Sequence, residues 1–309
     1  MVSVVIPLYN VERYVERCLK SVLTQSYKDV EIVIVDDAST DQSLRIAEHY
    51  QEAHSNIRIF RHKHNLGPMS TRQDGYMSAL GDFILFLDAD DALPADAVKT
   101  LVERQRETGA DIVMGDLLKR FTDGHTQRIV GSLDHEATDV DVLSALLACS
   151  ITHSLCGKLF KATLFRQGVL HAFSNQAIAE DGCLFYQLVA KAQRLSSVRE
   201  VVYDYYENKA STTQHAYRVK QIDNMLTAYG VMANVCRPYA SLHHALEQRL
   251  TKVAFTLYFE RPSLCMVRRL LKAHDMLPYG SIKYAFKYLR TGDLWFLIKR
   301  FIYVRLILH

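Results

Sequence analysis

Three short runs of residues carry the chemistry this chain could perform: Pro7-Leu8-Tyr9-Asn10, Asp36-Asp37-Ala38-Ser39-Thr40-Asp41 and Asp88-Ala89-Asp90-Asp91. Carboxylates gathered on one rim repel one another, and taking each out of water is costly unless a cation or hydrogen-bond donors compensate. A divalent ion would relieve both costs. Asp88 and Asp90, two positions apart, suit a hard, oxygen-liganded ion such as Mg²⁺ or Mn²⁺, which keeps waters and completes its shell with substrate phosphates. The plainer alternative is that Asp36 and Asp41 cap turns and helices.

These runs need elements that bring them together. The first 115 residues alternate β-branched segments with helical periodicity, which predicts parallel βαβ units. The expected strands are Val2–Pro7, Glu31–Val35, Ile57–Arg61, Phe83–Leu87 and Asp111–Met114. The expected helices are Val11–Gln25 with Asn10 as N-cap, Ser39–Ala53, Ser70–Ala79, and one with Pro94 in its first turn that ends near Gly109. Right-handed crossovers would carry all three runs to the carboxyl rim of one sheet, where open α/β sheets bind ligands. Residues 116–214 are mixed, with a polar hairpin around Asp123-Gly124, helices over Val140–Cys149 and Glu180–Ala192, and a strand over Val198–Tyr205. Beyond these the helical period continues through Leu226, Met232, Leu246 and Leu257. The expected organisation is a domain over 1–214, with halves 1–115 and 116–214, followed by a helical region over 215–309.

The 309 residues, 49% hydrophobic and 23% charged, can build a sizeable core, which excludes disordered, coiled-coil and disulfide-stapled classes. With 37 Lys/Arg against 34 Asp/Glu, bulk charge gives no argument for a nucleic-acid partner. The distribution is uneven: residues 268–309 hold nine Lys/Arg against Asp275 and Asp293, a net +7 that leaves −4 for residues 1–267. Six cysteines, without CxxC pairs or zinc-type spacing, read as reduced thiols. No basic leader precedes the first strand and no apolar stretch is long enough to span a bilayer, so a cytoplasmic location is expected. The segment Asp293–His309 mixes Trp295, Phe296, Phe301 and Tyr303 with Lys299, Arg300 and Arg305. Such a basic amphipathic helix is expected to lie peripherally on the inner membrane surface, anionic lipid contributing about 1 kcal/mol per cation. Packing on protein is the alternative.

The run VSVVIPLYNVERYVERCLKSVLTQSYKDVEIVIVDDASTD over Val2–Asp41, then Asn65-Leu66-Gly67, Arg72, Gly75 and Phe86-Leu87-Asp88-Ala89-Asp90-Asp91, resembles the nucleotide-binding half of inverting family-2 glycosyltransferases of the bacterial surface-polysaccharide type. The resemblance implies an α/β GT-A fold: a Rossmann-like, mostly parallel sheet flanked by helices, here followed by the C-terminal helical region. It implies that Asp37 accepts the uracil N3–H of a UDP-sugar, that Pro7, Tyr9 and Asn10 line the nucleotide, and that Arg72 meets phosphate or base oxygens. Asp88 and Asp90 match the family's DxD motif, Asp90 as the direct ligand of Mn²⁺ or Mg²⁺, with Asp91 at the donor sugar or a nearby water. Glu180-Asp181 resembles the family's acidic pair, with Asp181 as the base that deprotonates the acceptor hydroxyl. The implied activity moves a hexose or N-acetylhexosamine from a UDP-sugar to a saccharide acceptor, lipid-linked, in surface polysaccharide synthesis.

Three rivals remain at this stage: a polyprenyl-phosphate glycosyltransferase using a UDP- or GDP-sugar, a non-catalytic nucleotide-sugar-binding subunit of a membrane complex, and a nucleotidyltransferase. The last lacks its glycine-rich loop, since Tyr9-Asn10-Val11-Glu12 stands there. The chain departs from the family at Cys156-Gly157-Lys158-Leu159-Phe160, where Trp-Asn-Lys-Leu is common, and at Tyr206, where arginine is frequent. Acceptor identity therefore does not carry over. His62, His64 and His153 could serve as ligands or bases, but His62 and His64 flank Lys63 in an expected exposed loop.

Overall fold

The computed structural model describes residues 1–133, 136–166, 180–208, 219–260, 269, 271–273 and 275–280. The chain divides into two compact units, Met1–Tyr217 and Arg218–His309. The basic tail over 281–309 lies outside the described residues, and no described helix is long and apolar enough to cross a membrane.

The first unit is a sheet flanked by helices. Its strands are β1 (Val2–Leu8), β2 (Val30–Asp36), β3 (Ile57–Arg61), β4 (Phe83–Phe86), β5 (Ile112–Arg120), β6 (Thr126–Ile129), β7 (Lys158–Lys161) and β8 (Leu195–Tyr206). They run in the order β3-β2-β1-β4-β7-β5-β6, with β8 also paired to β5. The β3-β2-β1-β4 portion is parallel throughout. Its central strands are covered on both faces, which is why β1 and β2 read as continuous apolar runs rather than alternating ones.

The crossovers are α1 (Val15–Leu23), α2 (Ser43–Ala53), α3 (Pro68–Ser78) and α4 (Ala97–Thr108). The apolar stripe of α1 buries Val15, Cys18, Leu19 and Val22, each fully buried aliphatic side chain contributing about 1.5–3 kcal/mol. Between Gly75 of α3 and Val5 of β1 there is no room for a β-carbon, so the glycine is what lets this helix lie against the sheet. Gly109 ends α4 in the left-handed conformation.

The starts of these helices differ from the sequence expectations. Asn10 does not cap α1; it adopts φ 51°, its side chain accepts the Thr40 N–H at 2.8 Å, and regular helix begins only at Val15. Ser39–Gln42 form the loop before α2 rather than its first turn, because Asp36 and Asp41 accept N–H groups there. Pro94 precedes α4 by three residues and its carbonyl accepts from Ala97.

The second half of the unit is where the sheet changes direction. Strand β7 inserts antiparallel between β4 and β5, and the β5-β6 hairpin turns through Phe121–His125. Helices α5 (Asp139–Leu147), α6 (Thr163–Arg166) and α7 (Glu180–Lys191) follow the chain order of this half. Thr138 and Asp141 form a reciprocal capping box at α5. In the second unit, α8 (Val219–Cys236) and α9 (His243–Glu260) bury Leu226, Met232, Leu246, Leu250 and Leu257 at helical spacing.

Candidate active site

Because β1, β2 and β4 are parallel neighbours, their carboxyl ends bring the three polar runs to one rim. The first two runs lock together. The Asn10 N–H donates to Ser39 Oγ, Val11 N–H to Ser43 Oγ at 2.7 Å, and Glu12 N–H to Asp41 Oδ2 at 3.0 Å. Asp36 is fully buried and faces Arg61 Nε at 3.4 Å. Asp36 and Asp41 therefore serve the turn itself, as the plainer reading had it. Tyr9 is 45% exposed beside them, and Pro7 is the penultimate residue of β1.

Asp37 is 3% exposed. Its Oδ1 accepts the Leu66 N–H at 2.8 Å and its Oδ2 the Gly67 N–H at 2.9 Å. Gly67 can present that N–H because it holds φ 88° just before Pro68 opens α3. His62 completes the arrangement: Nδ1 lies 2.7 Å from Asp37 Oδ1 and Nε2 lies 2.8 Å from Asp74 Oδ2. Its side chain is only 9% exposed, so His62 is packed directly after β3, while Lys63 and His64 lie in an exposed loop as expected. Burial alone would depress its pKa, but the two carboxylates outweigh that and raise it.

Arg72, on α3 and 5% exposed, occupies the middle of the rim. Its Nη2 donates to Asp88 Oδ1 at 2.7 Å, while Nη1 lies 3.2 Å from Asp181 Oδ1 and 3.6 Å from Glu180 Oε1. Burial opposes its charge, yet Asp181, Asp88 and Glu180 together hold its pKa well above the ordinary value. Arg72 Nε and Nη1 and Asp181 Oδ1 are buried without a hydrogen-bond partner among the described residues. Asp181 Oδ2 accepts from Ser154 Oγ at 3.2 Å and from the Leu155 N–H at 3.4 Å. Burial first, and then the neighbouring Asp181 charge, push the Glu180 carboxyl up.

The strand-four run has divided roles. Asp88 Oδ2 lies 3.6 Å from Cys156 Sγ, and the Asp88 N–H donates to Tyr203 Oη at 3.1 Å. Asp90 Oδ2 accepts from Asn208 at 3.0 Å, and its backbone carbonyl accepts from Arg17, whose guanidinium lies over the Tyr206 ring. Asp91 turns inward instead. It is 1% exposed, accepts the Tyr203 hydroxyl at 2.7 Å and the Tyr206 N–H at 2.7 Å, and so anchors β8 to the turn. Burial, followed by the charges of Asp88 and Asp90, pushes its carboxyl up to about 9.

Among the described residues no set of three or more His, Cys, Asp or Glu side chains converges as a metal site. A divalent ion at this rim would rest on Asp90 and Asp88, with a ligand's phosphates and water supplying the remaining oxygens, which is the usual arrangement for Mg²⁺. The donor set is compatible with that chemistry.

Two residues gain a place here that the sequence did not give them: His62, discounted there as a loop residue, and Lys158, assigned no role. Lys158 is fully buried with Nζ donating to the Ser154 carbonyl at 2.6 Å and lying over the Phe185 ring. Burial lowers the Lys158 pKa to about 8. His153, weighed as a base, lies 3.5 Å from the Tyr186 hydroxyl.

Comparison with known proteins sets this geometry in context. The sequence model of glycosyl transferase family 2 matches residues 3–171. Glycosyltransferase GlyA of Streptococcus pneumoniae is 29% identical over 266 residues, 82% of this chain but 37% of GlyA. TarS of Staphylococcus aureus, a poly(ribitol-phosphate) beta-N-acetylglucosaminyltransferase, is 28% identical over 67% of this chain and 35% of TarS. The chain thus spans little more than a third of the length of these relatives. The crystal structure of TarS 1–349 with UDP-GlcNAc superposes with TM-score 0.65 at 18% identity, covering 93% of this chain and 91% of that one. A mannosyltransferase from Pyrobaculum calidifontis, with GDP-Man and Mn²⁺, gives TM-score 0.55 at 19% identity over 99% and 87% of the two chains. The shared fold is GT-A.

Proposed function

The chain belongs to glycosyl transferase family 2, and from that premise we propose that it is an inverting transferase moving a hexose or N-acetylhexosamine from a UDP-sugar to a saccharide acceptor of surface polysaccharide synthesis. One observation carries the proposal. The buried Arg72 guanidinium joins Asp88, at the rim that would hold the donor's diphosphate, to Asp181 and Glu180, at the start of α7. Donor-side and acceptor-side carboxylates are thereby gathered around one cation.

In this reading Asp37, whose Oδ2 accepts only one of the three donors around that carboxylate, has a lone pair left for uracil N3–H. The acceptor hydroxyl oxygen attacks the anomeric carbon, the bond from that carbon to the diphosphate breaks, and the hydroxyl proton passes to Asp181. UDP leaves with the bonding electrons and the anomeric configuration inverts. Asp181 suits this task because Ser154 and Leu155 fix one oxygen while the other, buried and facing Arg72 Nη1 at 3.2 Å, makes no hydrogen bond. Asp90 and Asp88 would hold Mn²⁺ or Mg²⁺, which when bound neutralises charge developing on the leaving diphosphate. Support comes from UDP-GlcNAc in the TarS complex and Mn²⁺ in the mannosyltransferase complex.

The test is Asp181→Asn. Donor-dependent UDP release should fall by about 10²–10⁴-fold, while calorimetric UDP affinity stays within about twofold. Retained turnover would remove Asp181 as the base. A lipid-linked acceptor and peripheral membrane attachment belong to the same proposal, supported by the basic aromatic sequence over Asp293–His309. Deleting residues 293–309 should reduce co-sedimentation with anionic vesicles, and an unchanged pelleted fraction would dismiss the attachment.

A further inference from the structure

His62 is bonded at both ring nitrogens to carboxylate oxygens, Asp37 Oδ1 at 2.7 Å and Asp74 Oδ2 at 2.8 Å. An ionised carboxylate only accepts hydrogen bonds, and a neutral imidazole donates from one nitrogen alone. Both contacts are favourable together only when both nitrogens carry protons. We propose that His62 is a positioning residue for nucleotide recognition, acting as an imidazolium that bridges Asp37 and Asp74 and so holds Asp37 with one oxygen turned toward the uracil N3–H. The inference rests on the reading of Asp37 as the base acceptor.

Asp37 Oδ1 takes two donors, His62 and the Leu66 N–H, whereas Oδ2 takes only the Gly67 N–H. The histidine therefore occupies the oxygen opposite the one that accepts a single donor. When the ring loses a proton, a nitrogen lone pair faces one of the two carboxylates, and the arrangement that orients Asp37 is no longer favoured. The charged groups around the ring are Asp37 at the end of β2, Asp74 on α3 and Arg61 on its own strand, the last engaged by Asp36 at 3.4 Å. Asp74 remains 57% exposed, and the ring lines an open cleft with Phe60, Arg61, Met77 and Ser78. Protons can therefore exchange with solvent, so the bridge can respond to pH.

The sign follows from linkage. A histidine whose folded pKa is raised contributes its stabilisation fully below the unfolded value of 6.5 and loses it as pH rises through the folded value. UDP affinity should follow the same curve, weakening about tenfold per pH unit above the His62 pKa because only the protonated fraction is competent.

The experiment pairs ¹⁵N NMR titration of the His62 ring with calorimetric UDP titrations from about pH 7 to about pH 8.5, on the wild-type chain and on Asp74→Asn. Expected are a wild-type His62 pKa above that of a free histidine, a lower one in Asp74→Asn, and a UDP-affinity limb displaced to lower pH by the same interval. His62→Gln, which carries no charge and does not titrate in this range, should bind UDP more weakly and lack the limb. A wild-type ring that titrates at or below the free value, or affinity profiles that coincide for wild type and Asp74→Asn, would overturn the bridge while leaving the uridine reading intact. A ring that titrates as expected in a protein that binds UDP at no pH would instead sink the uridine reading, and this inference with it.

Discussion

Two acidic clusters share the rim of one sheet and are satisfied in different ways. After β2, Asp36, Asp37 and Asp41 take their partners from Glu12, Ser39, Ser43, Arg61, His62, Leu66 and Gly67, all within the first parallel half of the sheet. After β4, Asp88, Asp90 and Asp91 are held by Arg72 of α3 but also by Cys156, Tyr203, Tyr206 and Asn208. The first cluster is a self-contained turn whose carboxylates accept mainly backbone N–H groups. The second is assembled by the mixed half of the sheet, and it is the one that reaches Asp181 through Arg72. If the first cluster recognises the nucleotide and the second holds the reacting centre, as proposed, then recognition is built locally, whereas the reacting centre needs the strands that arrive last in the chain.

Substitutions in each cluster can break that contrast. The largest effect is expected at Asp90→Ala, which should abolish the Mn²⁺-dependent component of UDP binding; an unchanged titration with Mn²⁺ would remove the metal from this rim. Next comes Tyr203→Phe. Its hydroxyl donates to Asp91 and accepts from the Asp88 N–H, so its loss should cost about 1–3 kcal/mol of stability in denaturant unfolding and also slow sugar transfer. Asp41→Ala, the counterpart in the first cluster, should cost about 0.5–2 kcal/mol and leave the turnover of UDP-saturated enzyme near wild type. If Asp41→Ala slowed transfer as much as Tyr203→Phe, the division between a local turn and an assembled centre would fail.

Much of the first half could be read from residue order alone, because strand and helix periods differ and each crossover is short. Strand β3 falls on the expected residues, Ile57–Arg61. What escaped depends on pairings distant in sequence. Strand β7 is four residues long and begins with the buried Lys158, so neither apolar alternation nor composition marks it. The inward turn of Asp91 requires β8, more than a hundred positions away. Asn10 reads as a helix cap because nothing in its own neighbourhood reveals that Thr40 will take its side chain.

His62 was closer to being legible. Parallel pairing sets Arg61 beside Asp36, which puts the next residues, His62 and Asp37, side by side, and that register could have been inferred from the two strand ends. Lys158 offers no such signal. Its ammonium is retained in the core by the Ser154 and Cys156 carbonyls, in the turn whose Ser154 hydroxyl and Leu155 N–H support Asp181. A lysine in an apolar tract is ordinarily read as exposed.

The central claim is that donor grip and proton removal are separate tasks of carboxylates joined through Arg72. The direct test measures UDP affinity in Mn²⁺ and donor-dependent UDP release side by side on Asp90→Ala and Asp181→Asn. The account predicts that Asp90→Ala loses metal-dependent binding and transfer together, whereas Asp181→Asn binds like wild type and does not turn over. The same response from both variants, in binding or in turnover without binding loss, would contradict it.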